Sequence, residues 1–593
     1  MQPMYLRCNT RFKDGKQHRY WNIVESKRLC GGKVMQRQVL YLGEINDEQK
    51  QSWCRVIEAF DDNQQQSQEL ALFPADKELP EYAKDNGIGL RLGEMELCRP
   101  RQYGACWLAC HLYEQLGLDR FWQERLSDSR EGKSWGHILQ TLVCYRLIDP
   151  GSEWRLHRQW YERSAMGDLL EEDDGVVEKN GLYRCLDKVL EHKQALFSHL
   201  SERWRDLFRA SFEVLLYDLT STYFESSPPQ DDDDKRRFGY SRDKRSDCVQ
   251  VVIALVITPE GFPLAYEVLA GNTSDRATLR EFLNKIETQY GKAQRIWVMD
   301  RGIPTEAVLK EMRQSDPPVH YLVGTPKGKL KQFEQDLLKV AWQQVRSGVE
   351  VKLLAHEQEL YVLAKSHGRV DKERAMRQRQ LRALIQRLKE LGAMKLKNQK
   401  ALLLKLGAAK GKYPAAWRLV DVNVKEASEP VPFSFRLNRS KLRAVRRREG
   451  RYLLRTNLAQ RPPEQLWQFY IQLVEIEAAF KNLKDDLQLR PIYHQLPSRI
   501  EAHIFVAFMA YCLHVTLRAR LRALAGGLTP RAVLDKLSAI QMLDVKFPTT
   551  DGRTLVLTRH TEPDIDQKIL IEQLKLSLPP QPPPRISASG KKI

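Results

Sequence analysis

The chain has 593 residues and a mass of 69.1 kDa, which predicts several domains and excludes a peptide-sized or disulfide-stapled protein. Lysine and arginine total 95 against 76 acidic residues, and the net charge of +19 favours a polyanionic partner such as nucleic acid. Ten cysteines without a Cys-x-x-Cys pair favour a reduced cytosolic compartment. The N-terminus lacks a secretion signal, and the longest apolar run, residues 504–517, is shorter than the roughly 20 residues that span a bilayer, so we expect no membrane partner.

The first third of the chain changes from a β-rich to a helical pattern. Short β-prone runs between residues 7 and 46 are separated by Asp-Gly and Gly-Gly turns, which predicts hairpins in a small β-rich unit with its linker, residues 1–95. From about residue 103 to residue 212 apolar residues recur every three or four positions. Residues 96–210 are therefore predicted to form a helical domain.

The middle of the chain mixes strands and helices. Residues 211–325 contain three strand-like runs, followed by a helix, a strand, a helix and a strand. Residues 326–463 interrupt this pattern with a basic segment that is first helical and later strand-like, and we interpret it as an insertion. Helical periodicity resumes in residues 464–525, and a mixed tail region, residues 526–593, contains the proline-rich PPQPPPR, which we expect to be extended and mobile. The sequence thus predicts an α/β multidomain protein.

Two aspartates stand at the ends of predicted strands. Asp218 lies in LLYDLTST, where an apolar run meets polar residues, and Asp300 ends the run RIWVMD before an arginine and a glycine. An aspartate at a strand end is often only a turn or cap residue, so each one alone is ambiguous. A catalytic interpretation needs a third acidic group.

The helix after the insertion supplies this third acid. Glu475 and Glu477 are the candidates, and they point about 160° apart if each residue turns the helix by roughly 100°. Glu477 is favoured because it shares one face, an arc of about 60°, with a tyrosine, a leucine and a lysine. The four residues on this face are Tyr470, Leu473, Glu477 and Lys484.

Three neighbouring carboxylates would repel one another unless a divalent cation neutralised them. Carboxylate oxygens without histidine or cysteine ligands suit Mg²⁺ or Mn²⁺, and two such ions roughly 4 Å apart activate an attacking oxygen and stabilise a departing one in phosphoryl transfer. The sequence therefore predicts that Asp218, Asp300 and Glu477 bind Mg²⁺, for which Mn²⁺ can substitute. Lys484 is then placed for a phosphate.

The ordered set of motifs resembles the DDE transposases of bacterial insertion sequences, in the cut-and-paste group whose third acid lies in a Tyr-x2-Arg-x3-Glu-x6-Lys motif. Here that motif reads YIQLVEIEAAFKNLK, and the first and second acidic motifs are similar to YDLTSTYFE and VMDRG. The resemblance covers most of the chain, because five further segments are also similar to the family: LYLGEI, FGYSRDKRSDCVQVVIAL, GFPLAYEVLAGNTSD, LRPIYH and TPRAVLDKL.

The resemblance implies a ribonuclease-H-like mixed sheet with Asp218 on its first strand, Asp300 after its fourth, and Glu477 on a returning helix. The 176 residues between Asp300 and Glu477 would hold a β-rich insertion domain. The implied reaction is cut-and-paste transposition: water attacks a phosphodiester at each element end, and the freed 3′-hydroxyl attacks another phosphate, in relatives through a DNA hairpin. The implied partners are double-stranded DNA, as terminal inverted repeats and target, and a second copy of the chain in a synaptic homodimer. The implied location is the bacterial cytoplasm, associated with the nucleoid.

The resemblance also favours DNA contacts around the acids. Leu473 replaces the arginine that is usual in the family, and Lys481, about 20° from Tyr470 on the helix, is interpreted as compensating for it. His494 has no partner at metal-ligand spacing in the sequence, so packing or a phosphate contact is favoured over metal coordination. The predicted DNA-binding residues are Tyr470, Lys484, Lys481, Arg301, Arg490 and His494.

Two basic clusters and one acidic run have open interpretations. Residues 371–412 carry 13 basic and 3 acidic residues, and a stripe of leucines there should pack against a partner helix. The basic face opposite is either solvated or tracks DNA, and the charge of the whole chain favours DNA. The arginines at 443 and 446–448 form either a phosphate grip or a loop. The acidic run 231–234 is interpreted as solvated rather than metal-binding.

Two other functions stay open beside transposition. The chain would be an inactive, transposase-derived DNA-binding protein if it occupied element ends without cutting them, although the presence of all three acids argues against this. It would be a metal-dependent nuclease if it cut DNA without joining ends, and products with new covalent junctions would exclude that reading. In the favoured reading, the N-terminal β-rich and helical regions recognise the terminal DNA.

Overall fold

The structure is a computed structural model. It describes residues 4–13, 16–28, 34–44, 55–61, 66–74 and 87–588, except for gaps in the last range at 129–131, 133, 173–176, 232, 274–278, 292–294, 301–302, 326–332, 334–335, 337–338, 395–398 and 425–432.

The predicted N-terminal hairpins are confirmed. The first three strands form an antiparallel sheet in which Lys13 pairs with Lys16 and Arg28 pairs with Val34. The first of these pairs brackets the Asp-Gly dipeptide, in agreement with the turn chemistry of the sequence. The strands before the first helix are β1 (Met4–Lys13), β2 (Lys16–Arg28), β3 (Val34–Glu44), β4 (Arg55–Asp61), β5 (Gln66–Pro74), β6 (Gly87–Leu90) and β7 (Glu96–Gln102).

The predicted helical stretch is also confirmed. Gly117, with a φ of 65°, separates the first two helices, and the hydroxyl of Ser134 caps the third by accepting from the His137 N–H. The helices are α1 (Gly104–Gln115), α2 (Leu118–Gln123), α3 (Trp135–Ile148), α4 (Glu153–Arg155), α5 (Met166–Leu170), α6 (Lys179–Val189) and α7 (Lys193–Phe208).

The middle region has the predicted order of three strands, a helix, a strand, a helix and a strand. Every residue of the second of these strands is buried, as expected for a central strand covered on both faces. The elements are β8 (Val214–Phe224), β9 (Val249–Ile257), β10 (Pro263–Ala270), α8 (Leu279–Tyr290), β11 (Ile296–Met299), α9 (Glu306–Gln314) and β12 (His320–Thr325).

The predicted insertion contains two kinds of structure. Strands at its beginning and end continue the central sheet, whereas helices and a two-stranded sheet between them build a separate small core. Its elements are β13 (Gln343–Arg346), β14 (Val349–His356), β15 (Glu359–Ser366), α10 (His367–Ala393), α11 (Gln399–Lys412), α12 (Pro414–Trp417), β16 (Val420–Val424), β17 (Phe433–Leu437), α13 (Arg439–Arg448) and β18 (Arg451–Thr456).

The leucine stripe of α10 packs as predicted. Leu384, Leu388 and Leu391 are buried together with Leu402 and Leu406 of α11 in the small core of the insertion. Burying a leucine side chain contributes roughly 2 kcal/mol relative to leaving it in water. These contacts therefore hold the two helices in place while the opposite, basic face of α10 stays exposed.

The last part of the chain is helical and then mixed. It contains three proline-initiated helices and a π-helical turn (Asn482–Asp486), together with further helices and strands. The elements are α14 (Pro463–Ile471), α15 (Leu473–Lys481), α16 (Pro497–Leu524), α17 (Pro530–Leu537), β19 (Gln541–Pro548), β20 (Arg553–His560), α18 (Ile565–Gln573) and β21 (Arg585–Ala588).

The C-terminal region is folded up to Ala588, so the prediction of a mobile proline-rich tail is wrong. Strand β21 pairs with β20 and with β4, and the Phe60 N–H donates to the carbonyl of Pro584 at 3.0 Å. Gln581 donates to the carbonyl of His560 at 3.0 Å. The sequence could not predict this, because β4 lies more than 500 residues away from β21 and their pairing leaves no local pattern.

Two compact units divide the chain. The first comprises Met1–Ala210, Thr222–Val251 and Ala479–Ile593, and the second comprises Ser211–Ser221 and Val252–Ala478. The first unit contains the sheet β1-β2-β3 and a seven-stranded sheet in the order β6-β5-β4-β21-β20-β19-β7. The second unit is built on a nine-stranded sheet in the order β10-β9-β8-β11-β12-β18-β15-β14-β13, beside the hairpin β16-β17. The protein is thus a mixed α/β fold, as predicted.

Helix α16 of the first unit is apolar and long enough to cross a membrane by length and composition alone. In the protein 89% of its 18-residue apolar window is buried. The buried run that the sequence marks between Ile504 and Leu517 is therefore part of a core helix.

Candidate active site

Asp218 and Asp300 are lateral neighbours in the central sheet. Strands β8 and β11 run parallel, with Tyr217 opposite Met299; Asp218 is the next residue of β8, and Asp300 directly follows the end of β11. The two carboxylates therefore occupy the same level of adjacent strands, which lie about 4.8 Å apart. Because side chains alternate between the faces of a sheet, the common register directs both carboxylates to one face.

The strands that carry these aspartates are anchored by buried aromatic rings. Trp297 of β11 is buried, and its ring lies 6.5 Å from that of Tyr217 on β8. The Tyr217 ring also packs 5.4 Å from Phe282 of α8. Trp297 is therefore a core residue, and the packing fixes the two strand ends beside each other.

The surroundings of the two carboxylates differ. Asp218 is half-buried, and its Oδ1 accepts a hydrogen bond of 2.8 Å from the Leu219 N–H. Asp300 is exposed, and in the described part of the chain it takes part in no hydrogen bond or ion pair. Two adjacent carboxylates of which one lacks any cationic partner are suited to bind a cation from outside the chain.

Glu477 lies on α15, in the same compact unit as the two aspartates. Its side chain is exposed, while Ile476 and Ala479 are buried and hold the helix in place. The preceding helix α14 contacts β11, the strand that leads to Asp300, and β12. Glu475 is half-buried and has interactions of its own. The choice of Glu477 as the third acid stays a prediction.

The predicted single motif helix is interrupted. Helix α14 ends at Ile471, α15 begins at Leu473, and Lys484 lies in the π-helical turn that follows. A π turn changes the rotation per residue, so the helical arc predicted for Tyr470 and Lys484 does not extend along the whole segment. Within α15, Leu473 and Glu477 remain i, i+4 neighbours on one face.

Arg369, near the start of α10, has an electrostatic interaction with Glu477 that sequence reasoning missed. Its Nε donates to Glu373 at 3.1 Å, and Glu373 in turn accepts from the Gly450 N–H at 2.9 Å. The hydrogen bond to Glu373 raises the pKa of Arg369, and the charges of Tyr452 and Glu477 add to this effect. No sequence pattern marks this interaction, because 108 residues separate Arg369 from Glu477.

Lys484 and Arg490 share one carboxylate in the first unit. Lys484 is nearly buried and donates to Asp243 at 3.0 and 3.3 Å. Arg490 also pairs with Asp243 and lies 2.9 Å from Asp485. Burial lowers the pKa of Lys484, although the charge of Asp243 opposes this shift. A phosphate contact by Lys484, as predicted from the sequence, would require Asp243 to release it.

The other predicted DNA-binding residues have different surroundings. Tyr470 is half-buried, with its ring 5.8 Å from Tyr452 and 6.2 Å from Trp467. Lys481 is exposed on α15 and is accessible for the compensation predicted from the sequence. Arg301 lies outside the described residues.

His494 belongs to a buried cluster that contains two histidines, a glutamate and an arginine. Its Nε2 lies 3.2 Å from Glu153, His503 Nδ1 lies 3.5 Å from the same carboxylate, and Arg146 approaches Glu153 to 3.9 Å. The ring of Tyr183 packs edge-on against His494 at 5.8 Å. His494 is thus a packing residue here, one of the two roles that the sequence left open, and its contact with DNA stays a prediction.

This cluster has metal-ligand chemistry, since Glu153, His494 and His503 offer ligand atoms within 4.8 Å of one another. Arg146, however, already places a guanidinium beside both Glu153 and His503, and a second cation would be repelled. Burial opposes ionisation of Glu153, but hydrogen bonds from the two histidines hold its pKa well below the usual range. Burial and the charge of Arg146 lower the pKa of His503 to about 4. The cluster therefore stabilises the first unit as an ion pair of Arg146 and Glu153 beside a neutral His503.

The acidic run at 231–234 is only partly solvated. Asp231 and Asp233 are exposed, but Asp234 is buried and binds the Arg236 guanidinium through two oxygens, with the closest guanidinium contact at 2.8 Å. Arg236 also donates to Gln495 at 2.8 Å. The prediction of a solvated run is wrong for Asp234, because the arginine two residues later neutralises it inside the fold.

Comparison with known proteins relates two segments of the chain to one class. A family model described as the transposase DDE domain matches residues 209–513, and a model described as the IS1634 family transposase N-terminal domain matches residues 6–70. Among solved structures, the chain is similar to a piggyBac transposase in a synaptic complex with hairpin DNA, at 8% identity and a TM-score of 0.34, over 73% of this chain and 76% of that one. No curated protein matches the chain.

Proposed function

We propose that this chain, which belongs to the DDE-domain transposases of insertion sequences, binds the terminal inverted repeats of its element and uses a divalent metal to cut and rejoin DNA. The family match covers residues 209–513, more than half of the chain, and includes all three predicted acids. The chain is therefore a DNA transposase, and the finer chemistry and the roles of single residues are our proposal.

One observation carries the catalytic assignment: Asp218 and Asp300 lie at the same level of adjacent parallel strands. Such neighbours repel when both are ionised, and the described residues offer Asp300 no cationic partner. The donor set of Asp218, Asp300 and Glu477 consists only of carboxylate oxygens, which fits Mg²⁺ or Mn²⁺ and does not favour zinc. When bound, such an ion activates an attacking oxygen and stabilises a departing one.

The residues of the chain then have distinct roles. Asp218, whose Oδ1 is held by the Leu219 N–H, and Asp300, at the end of an anchored strand, would bind the metal, with Glu477 as the third ligand. The charge of Arg369, which interacts with that of Glu477, would attract the phosphate of the DNA strand to be cut. No covalent bond between protein and DNA is needed.

The order of the strands supports a ribonuclease-H-like arrangement. The strands β10-β9-β8-β11-β12 are neighbours in this order, so the first strand of the core lies between the second and the fourth. Asp218 is on that first strand, and Asp300 directly follows the fourth. This is the arrangement that the sequence resemblance implies.

The partners we propose are double-stranded DNA and a second copy of the chain. The net charge of +19 favours DNA, and pairing of two element ends makes a two-fold symmetric synaptic dimer natural. We further propose that the protein acts in the bacterial cytoplasm, at the nucleoid.

The test is excision from a supercoiled plasmid that carries the inverted repeats flanking the element. We expect excision by the full chain in Mg²⁺ or Mn²⁺, none in EDTA, and none by Asp300→Asn. The matched control is Asp371→Asn, which removes an equally exposed carboxylate of the same unit that has only a 3.7 Å ion pair with Arg374. The control should excise like the unmodified protein.

The outcomes separate the alternatives. Tight binding of the ends without cleavage in either metal would favour an inactive DNA-binding protein. Cleavage without new covalent junctions would favour a nuclease. Full activity of Asp300→Asn would contradict the proposed site.

A further inference from the structure

Helix α13 of the insertion is unusually basic. Six of its ten residues are lysine or arginine and none is acidic. Leu442 is its buried residue, so the helix lies on the surface with most of its side chains in solvent. Such a density of one charge is costly in the absence of a partner, because like charges one turn apart repel each other.

Four of these side chains lack compensation within the described part of the chain. Lys441 is paired with Asp421 at 3.1 Å, and Arg448 has interactions of its own. The remaining four are exposed and form no hydrogen bond or ion pair with described residues. They are Arg439, Arg443, Arg446 and Arg447.

The four arginines share one face. They lie at offsets of 0, 4, 7 and 8 residues, which at roughly 100° per residue places them within an arc of about 100°. Their Cα atoms span about 12 Å along the axis of α13. One DNA strand presents a phosphate roughly every 3.4 Å along the axis of the double helix. The face is therefore long enough to bind about three successive phosphates.

Stabilisation of the helix itself does not explain this composition. Cations in the last turn interact favourably with the helix dipole, which would account for Arg446 and Arg447. Arg439, however, is the first residue of the helix, where a cation is unfavourable, and Arg443 is in the middle. A partner outside the chain explains all four positions.

The helix is held firmly at both ends. At its start, Asn438 accepts from the Lys441 N–H at 3.0 Å and donates to Asp421 at 3.0 Å. Just beyond its end, the nearly buried pair of Glu449 and Arg377 ties it to α10. The arginine face is thus presented in a fixed orientation before any ligand binds, which lowers the entropic cost of binding.

We propose that the arginine face of α13 captures target DNA through its phosphates. This proposal rests on the function proposed above and deepens it. Contacts to phosphates carry no sequence information. They therefore suit target DNA, which is the DNA partner of a transposase that has no fixed sequence. Element ends, which have a defined sequence, must in addition be recognised through their bases.

The test uses the full chain with Arg439→Ala, Arg443→Ala and Arg446→Ala combined. Pre-cut element ends are joined to an unrelated plasmid, so that target capture is measured separately from cleavage. We expect joining to fall at least about tenfold, and the slope of log affinity for unrelated duplex against log salt to become smaller by about 2 to 3. Cleavage of the ends should stay within about twofold, because the face does not position them.

Two control variants refine the result. The same three positions changed to lysine keep the charge and should retain most of the joining. Lys372→Ala, Arg379→Ala and Arg382→Ala remove the same charge from the other basic surface of the insertion, the exposed face of α10, and should lower joining less than the α13 variant does. Circular dichroism and melting temperature verify that each variant is folded.

Three results would overturn the proposal. Equal losses in the α10 variant would mean that only the total charge matters. Loss of end cleavage in the α13 variant would assign the face to element ends, and no change in joining or salt slope would make it a solvated surface. If the unmodified protein neither cut nor joined DNA, the proposed function would fail, yet the salt slope would still report whether α13 binds duplex.

Discussion

The strand-end aspartates and the Glu153 cluster contain similar charged groups but differ in how those groups are compensated. Glu153 is surrounded by Arg146, His494 and His503 inside the first unit. Asp300, in the second unit, is exposed and has no partner among the described residues. A charge with partners from its own chain stabilises the fold, whereas a charge left without one is available to an external ligand. Variants of the strand-end aspartates should therefore lower activity more than stability, whereas variants of the Glu153 cluster should lower stability more than activity.

The largest expected effect is on activity at the strand ends. Asp300→Asn should lower DNA cleavage at least about a thousandfold, about 4 kcal/mol, because one carboxylate of the metal set is lost. The same change removes a like charge beside Asp218, so the metal-free protein should be as stable as before or slightly more stable. Cleavage assays and thermal melting with and without Mg²⁺ measure both effects.

The melting experiment also reports metal binding directly. Mg²⁺ should raise the melting temperature of the unmodified protein and of the Asp371→Asn control, but not that of Asp300→Asn. A metal-dependent rise that persists in Asp300→Asn would show that the ion binds elsewhere.

The next effect is on stability, at the Glu153 cluster. Glu153→Gln leaves the buried guanidinium of Arg146 without its carboxylate and should destabilise the protein by about 4 kcal/mol. Denaturant or thermal unfolding measures the loss, and Glu162→Gln, at an exposed glutamate nearby in the chain, is the control. Equal stability of the two variants would mean that the buried pair does not stabilise the unit.

Acidification should weaken the same cluster without mutation. His503 has a pKa of about 4 in the folded protein, below its usual value, so the unfolded chain binds a proton between pH 6.5 and 4 that the folded chain does not. Stability should therefore fall over that interval, by about 3 kcal/mol at most from this residue. The low pKa of Glu153 acts in the same direction at still lower pH.

The variant that isolates this contribution is His503→Gln, which retains hydrogen-bonding capacity but does not titrate. Its stability should change less between pH 7 and pH 5 than that of the unmodified protein. Arg146, Glu153 and His494 are the charged or titratable groups around position 503 and are unchanged in the variant. An identical pH dependence of both proteins would assign the acid sensitivity to other histidines, such as His514, whose pKa burial lowers to about 3.

Local pattern was sufficient to predict most elements of the fold. The N-terminal hairpins, the helical stretch after them and the order of strands and helices along the core follow from turn residues and from periodicities of two and three to four residues. The prediction was wrong where the tertiary fold decides the structure of a segment, as for strand β21, which is ordered by pairing with β4 and β20. The prediction was also too simple for the insertion, because several strands that were assigned to a separate domain continue the central sheet.

For the candidate site, the sequence could predict which residues take part but not which distant residues they contact. The sequence marked Asp218 and Asp300 as strand-end acids, and the parallel register of β8 and β11 makes them neighbours. It could not reveal that Lys484 is held by Asp243, because their pairing spans 241 residues. Charges far apart in the chain have no signature in a single sequence until the fold brings them together.

The smallest effect concerns Arg369, which decides whether the insertion contributes to catalysis. Arg369→Ala should lower cleavage about tenfold, about 1.4 kcal/mol, with end binding largely retained, because a cation that interacts with Glu477 is lost. Arg374→Ala, an exposed arginine one turn further along α10, is the control.

Leu473 is the i−4 neighbour of Glu477, so Leu473→Arg would place a new cation beside the same carboxylate and should restore most of the activity of Arg369→Ala. If Leu473→Arg instead raised the activity of the unmodified protein by the same factor, the two positions would act independently, and Arg369 would only hold Glu373 and Gly450 in place.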